Sequence, residues 1–390
     1  MKETKQDRLP LTSLLALAMA AFITILTEAL PAGLLPQMAL GLSVSEAWVG
    51  QTVTVYAIGS LLAAIPLTAA TQGLRRRPLL LTAIAGFVVA NTITMLSTSF
   101  VLIMAGRFLA GMAAGLLWAL LAGYASRMVP EHQQGRAIAI AMVGTPLALS
   151  LGVPAGTFLG TLVGWRTCFG IMSTLALILM VWICFQVPDF SGSAKNKRYS
   201  LQQVFVLPGI RAVLFVVLTF VLAHNILYTY IAPFLAVVDM AERTGFVLLV
   251  FGIMSLLGIW IVGVFIDSHL RAMTLAFTGL FGLAVLALGI FADMDLVVYV
   301  AIGLWGLAFG GSATLFQTAL AKAAGSTVDV AQSILVTVWN IAIAGGGLIG
   351  GVLLEQFGVS AFSPALLALL ISSMIVVWTA KMHGFPLSKG

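Results

Sequence analysis

The chain has 390 residues, 61% of them apolar, with only 19 basic and 13 acidic side chains, 8% of the total. A soluble domain typically carries about 25% charge, so a water-soluble protein of this length could not cover its surface, which excludes soluble enzymes and nucleic-acid-binding proteins. Bilayer-crossing helices need roughly 20 mostly apolar residues each, and the apolar content has room for about twelve. The composition predicts an all-α polytopic membrane protein whose partners are a lipid bilayer and a small molecule rather than nucleic acid, in spite of the net charge of +6.

Taken in chain order, residues 1–10 form a basic tail with Lys2, Lys5 and Arg8. Small residues at Ala16, Ala18 and Ala20 follow, as in a signal peptide, but the apolar run continues to Met38, the length of a first span rather than a cleaved leader. Apolar runs then predict spans over 11–38, 48–70, 79–96, 100–126, 137–163 and 167–187, a six-helix bundle over 11–187. Residues 188–211, containing PDFSGSAKNKRYSLQQ, are the only long polar segment and read as a linker. Spans over 212–238, 246–266, 273–291, 296–321, 331–353 and 362–380 make a second bundle over 212–380, and 381–390 is a tail. Cys168 and Cys184 lack metal or redox spacing and read as two buried thiols, so no cofactor or metal is expected.

Orientation follows from the basic residues. Sixteen of the 19 fall in segments on the side of the N-terminus, against Arg166 and Arg243 on the other side and Arg107 within a span. Both termini are therefore expected in the cytoplasm.

The halves repeat. Gly111, Gly115 and Arg127 match Gly306, Gly310 and Lys322 at an offset of 195, and Gly152, Gly156 and Gly164 match Gly346, Gly350 and Gly358 at 194. Thr27-x-x-x-Pro31 reappears as Thr229-x-x-x-Pro233, at 202. Two parallel six-span repeats related by an axis along the membrane normal are expected.

Five stretches carry a resemblance: TEALPAGLLPQMA (27–39), GRFLAGMAAG (106–115), GVPAGTFLGTLVGWR (152–166), YTYIAPFL (228–235) and WNIAIAGGGLIGG (339–351). With them the chain resembles the major facilitator superfamily, and within it the twelve-span drug:proton antiporter family, in its sugar-, arabinose- and purine-nucleoside-efflux branch. The resemblance implies two six-helix bundles, alternating access and a bacterial inner-membrane location. The family's loop signature Gly-x-x-x-Asp-x-x-x-Arg is intact as Gly263-x-x-x-Asp267-x-x-x-Arg271, but the first-half copy has Thr68 and Gln72 in the Gly and Asp positions, before Arg76 and Arg77. The resemblance implies a gating role for Asp267 and Arg271, and a weakened acidic lock in the first half.

Glu28 is the sole acidic residue inside an assigned span, and Arg107 the sole basic one. An intramembrane carboxylate costs several kcal/mol unless protonated, paired or hydrated, and so marks function by default. Glu28 lies about 25 Å along its span, at a depth similar to that of Arg107. Their pairing, direct or through water, reads either as a proton-coupling switch or as a permanent structural ion pair. The resemblance favours coupling, because the arginine of the RxxxG pattern, here Arg107-x-x-x-Gly111, is linked with protons in this family.

His224 lies near the midplane of span seven and reads as a proton carrier or as a hydrogen-bonded packing residue. Around it Asn225, Tyr228 and Tyr230, together with Asn91, Trp118, Gln317, Trp339 and Asn340 elsewhere, are the expected substrate-binding groups. Trp and Tyr suit stacking on a sugar or planar base, with ordinary helix packing as the alternative.

Gly144, Gly152, Gly156 and Gly160 place a smooth strip on span five, and Pro146 and Pro154 interrupt its hydrogen bonding. Gly152, Pro154 and Gly156 resemble the family's antiporter motif, with tight packing as the alternative reading. The chain shows no HExxH, no Walker A sequence and no filter-like loop or ring of charge, which argues against an intramembrane enzyme and a channel. With no large soluble domain to bind ATP, a primary pump is excluded unless a partner supplies one. The reading that remains is a monomeric secondary transporter exchanging a small organic molecule for protons. Uptake by symport on the same fold is the alternative.

Overall fold

In a bilayer every backbone N–H and C=O must be satisfied within the chain, and a run of apolar residues achieves this by coiling into a helix. The computed structural model describes residues 9–192 and 199–386, with the backbone alone at Glu46, Ala47, Ala232, Ala241 and Thr244. Lys2, Lys5, Arg8, Lys195, Lys197, Arg198 and Lys389, which contribute to the expected orientation, lie outside the described residues. Those described are helical with no strand.

Ten helical stretches are long and apolar enough to cross a membrane; eight have 20 to 33 residues and two have 46 and 63. The 46-residue stretch turns at His269, whose backbone is non-helical (φ −131°, ψ 27°). The 63-residue stretch turns at Gly325, whose φ of +53° favours a residue without a side chain. Counting each long stretch as two passes gives twelve spans.

The chain divides into two compact units, Met1–Leu201 with Thr327–Val336, and Gln202–Ser326 with Thr337–Gly390. In the first unit, span one is Leu11–Gly33 continued by Leu35–Leu42, span two Glu46–Thr71, span three Arg76–Leu96, span four Phe100–Arg127 and span six Trp165–Gln186. Span five runs in pieces from Gln134 to Val163, with a π turn over Ala148–Gly152. Pro154 has no N–H to close the preceding α turn, and the ladder shifts there. In the second unit, span seven is Ile210–Thr229 continued by Ile231–Val237, and spans eight and nine form Thr244–Ile290. Span ten is Asp295–Gly310 with Ser312–Ala324, and span twelve is Phe362–Thr379. Span eleven, Val328–Phe357, begins in the first unit and continues in the second.

Backbone geometry locates the repeat more sharply than side chains do. Span one breaks at Leu34 (φ −108°, ψ 10°) and span seven at Tyr230 (φ −110°, ψ 22°), 196 positions apart. The only non-glycine residues with positive φ among those described are Ser43 (54°) and Asp239 (58°), again 196 apart. The Thr-x-x-x-Pro match at 202 is therefore out of register, because Pro31 precedes its break by three residues and Pro233 follows its own by three. The glycine matches hold. A Cβ on Gly111 would meet the Tyr56 carbonyl, and one on Gly306 the Phe251 carbonyl, so spans two and four approach as closely as spans eight and ten.

Three expectations change. Cys168 is buried but Cys184 is exposed, near the end of span six. Span one is broken at Leu34 rather than continuous. Span eleven begins at Val328, which brings Asp329 inside a helix, where it is only 3% exposed. Glu28 is therefore not the only acid within a span.

Candidate functional site

Span four carries Arg107 into the interior of the first unit, where it is 1% exposed. Its guanidinium donates to three backbone carbonyls: Nη1 to Thr27 at 2.6 Å, Nη2 to Glu28 at 3.2 Å and Nε to Thr52 at 3.2 Å. It also lies 4.9 Å from the centre of the Tyr56 ring, whose hydroxyl donates to the Thr24 carbonyl at 3.2 Å. The planar fork of donors thus ties span four to spans one and two, a task a lysine ammonium could not perform. Among the described residues the Glu28 carboxylate forms no ion pair with Arg107. In place of a direct side-chain ion pair, the arginine grips the Glu28 backbone, and the Glu28 carboxylate is half-buried.

Asn91 joins this cluster by donating from Nδ2 to Thr27 Oγ1 at 3.1 Å. Its Oδ1, like Thr52 Oγ1, is buried without a hydrogen-bond partner. Each such atom costs about 1–3 kcal/mol, so the cluster is not at its hydrogen-bonding optimum. At 1% exposure Asn91 supports the polar cluster and is closed to a substrate in this structure.

His224 occupies the corresponding place in the second unit. The Trp305 indole donates to its Nδ1 at 3.2 Å, and Phe309 stacks on it at 3.4 Å between ring centres and 8° between planes. Phe251 and Tyr228 stack at 5.8 Å and 5.3 Å. An indole can only donate, so Nδ1 accepts and the imidazole is the neutral Nε2–H tautomer. The imidazole is thus hydrogen-bonded through one nitrogen and enclosed by aromatic rings.

The remaining expected groups sort by exposure. Tyr228 is 44% exposed at the end of the His224 stack, and Trp339 extends the same aromatic row with its ring 6.4 Å from Phe309. Asn225 and Asn340 are half-buried nearby in sequence, with Asn225 Nδ2 donating to the Val221 carbonyl. The Tyr230 hydroxyl donates to the Gly347 carbonyl at 2.6 Å, and its ring lies where a Cβ on Gly350 would stand. Trp118 is half-buried in span four, and Gln317 is buried in span ten.

A family model described as Major Facilitator Superfamily matches residues 17–347. The chain belongs to the major facilitator superfamily. It is 29% identical over 384 residues to the purine ribonucleoside efflux pump NepI of Salmonella paratyphi B, covering 96% of this chain and 94% of that one. It is 27% identical over 377 residues to a Pseudomonas aeruginosa protein named transcription regulatory protein OpdE, covering 95% and 94%. Among solved structures, the Escherichia coli fucose:proton symporter FucP superposes with a TM-score of 0.77 at 16% identity, over 96% of this chain and 99% of that one. As a major facilitator the protein is a transporter of small molecules and not an enzyme.

The two gating features expected of a major facilitator differ in their surroundings. Asp267 lies just before the His269 turn. Arg271 donates to the last carbonyls of span twelve, Val377 at 3.3 Å and Trp378 at 2.7 Å, and packs on the Trp378 ring. The glycines of span five seat span one: a Cβ on Gly144 would meet the Ala18 carbonyl, on Gly152 the Phe22 ring at 2.8 Å, and on Gly156 the end of Leu30 at 2.7 Å. Pro154 opens the helix Val153–Val163 just after the π turn, so the span carrying Glu28 rests on an interrupted helix.

Sequence reasoning missed Tyr56, Phe251, Trp305 and Phe309 in these sites, and the burial of Asp329 elsewhere in the chain. Tyr56 and Phe251 are 195 positions apart, so the repeat itself was a signal for both. Asp329 was hidden by its place just ahead of an apolar run, where a loop carboxylate looks the same.

Proposed function

We propose that the protein is a proton antiporter that exports a small neutral organic molecule, of the sugar, nucleoside or drug class, across the bacterial inner membrane. It works as a monomer with both termini in the cytoplasm, as the excess of basic residues on that side supports. The observation that carries the reading is the separation of roles between Arg107 and Glu28. Arg107 is occupied by three carbonyls, so its positive charge is fixed, while the Glu28 carboxylate has no ion-pair partner holding it and can gain or lose a proton. Deprotonated, it is attracted to the Arg107 guanidinium; protonated, it is not, and span one then has a second favourable packing.

Pro31 and the interrupted, glycine-lined span five give span one the freedom to shift. Asp267 and Arg271 act with the turn at His269 as the gate of the second half. In the second unit Tyr228 and Trp339 offer ring faces to the cargo, with Asn225, Asn340 and Gln317 as polar groups; in the first unit Trp118 offers a further ring. The name of the NepI relatives supports export and a nucleoside-like cargo. Inverted vesicles with an acid interior test this. Adding nucleosides, sugars and chloramphenicol-like drugs in turn should discharge the pH gradient for at least one class, reported by recovery of a quenched dye. Silence across all three classes refutes the reading.

A further inference from the structure

The degenerate loop between spans two and three has been rebuilt around the linker and the first turn of span eleven. In the second unit Arg271 caps the C-terminus of span twelve. In the first unit the matching task falls to Arg77, whose Nη1 donates to the Cys184 and Val187 carbonyls at the end of span six, at 3.2 and 3.5 Å. That leaves Arg76 free to turn inward. It is 3% exposed, and its Nη2 lies 2.7 Å from Asp329 Oδ2. Arg127 grips the same carboxylate with two parallel bonds of 2.9 and 3.0 Å. Gly123 makes room, since a Cβ there would collide with Asp329 Oδ1. Asp329 thus holds the start of span eleven, a helix shared by both units, between two arginines.

Gln72, in the place of the signature acid, does something else. Its amide pairs in both directions with the backbone of Tyr199, donating to the carbonyl at 3.1 Å and accepting from the N–H at 3.2 Å. A carboxylate could accept from that N–H but could not donate to the carbonyl. At the other end of the linker, Asp189 accepts from the Arg77 N–H at 3.0 Å and from Arg75 Nε at 2.6 Å. Burial pushes the Asp189 carboxyl up, but these two donors outweigh it and hold the group below the usual carboxylate range. Arg76 belongs to both assemblies: its N–H donates to the linker carbonyl of Phe190 at 2.8 Å while its guanidinium binds Asp329.

We propose that Asp329 is the acid of the first-half lock and that the linker, clasped by Gln72, sets the strength of that lock through Arg76. The proposal deepens the alternating-access reading and rests on it, but its contacts are testable without transport. Hydrogen exchange on the full-length protein in nanodiscs follows three peptides, covering 72–79, 199–206 and 328–336. Asp329→Asn should speed exchange in 328–336 by about tenfold or more, the effect of losing a charge-assisted hydrogen bond. Asp329→Glu should restore most of the protection. Where Asp329→Asn does not insert, Arg127→Gln, at a guanidinium already 25% exposed, should give a smaller change in the same peptide. Gln72→Ala should speed exchange in 199–206 and, to a lesser degree, in 328–336. If Gln72→Ala loosens 199–206 and leaves 328–336 unchanged, linker and lock are independent and the coupling is overturned. If neither Asp329→Asn nor Arg127→Gln changes 328–336, Asp329 is not the lock. A protein that passes these tests yet discharges no pH gradient would refute the transport reading alone.

Discussion

Glu28 and His224 hold the same position in the two units, each six residues before the break of its span and 196 positions apart. One acts on a guanidinium fixed by three carbonyls, and the other is enclosed by aromatic rings. The repeat has thus placed a titratable group twice, beside a guanidinium-bound backbone in one unit and among aromatic rings in the other. Glu28→Gln is expected to abolish discharge of the pH gradient by substrate in inverted vesicles, while His224→Gln, which keeps an acceptor near Trp305, retains it. A fully proton-coupled Glu28→Gln variant would remove Glu28 from the coupling step.

Arg107→Lys tests whether the arginine is chosen for its charge or its shape. An ammonium keeps the charge but cannot span the carbonyls of Thr27, Glu28 and Thr52 at once. The Thr27 carbonyl, which has no helical donor because Pro31 stands four residues on, would be left unpaired at a cost of about 1–3 kcal/mol, so the variant should unfold at a lower temperature. Unchanged thermal stability would mean that charge alone suffices.

The fold and the pair of intramembrane charges were legible in the sequence because both rest on scarcity. With so few charged residues, each one inside an apolar run stands out. What the charges touch was not legible. Pairing Glu28 with Arg107 from similar depths was sound for the backbones, yet depth carries no information on whether a guanidinium meets a carboxylate or a carbonyl. The aromatic enclosure of His224 was hidden for a related reason, since Trp305 and Phe309 look like any other apolar residues of span ten. Asp329 was hidden by a boundary: three residues decide between a solvated loop acid and a buried one.

The glycine strip of span five makes a graded prediction. A Cβ on Gly144 meets the Ala18 carbonyl of span one, which cannot move without the helix, whereas a Cβ on Gly156 meets only the end of the Leu30 side chain. Gly144→Ala should therefore destabilise by about 1–3 kcal/mol or more through overpacking, and Gly156→Ala by much less. Thermal unfolding in detergent ranks the two, and equal effects would show that the strip does not seat span one as described.

The Trp305–His224 bond can be isolated by a double-mutant cycle. Trp305→Phe removes the donor and leaves Nδ1 of a buried imidazole unsatisfied, a cost of about 1–3 kcal/mol on top of the lost ring volume. His224→Phe removes the acceptor and leaves the indole N–H unsatisfied in the same box. In the double variant no polar atom remains to be desolvated, so its loss of stability should be smaller than the sum of the single losses. Additive losses would mean that the hydrogen bond contributes nothing and that the stacking of Phe309 alone positions the ring. In inverted vesicles all three variants that fold should still let substrate discharge the pH gradient, because in this account His224 shapes the wall behind Tyr228 and the proton travels through Glu28.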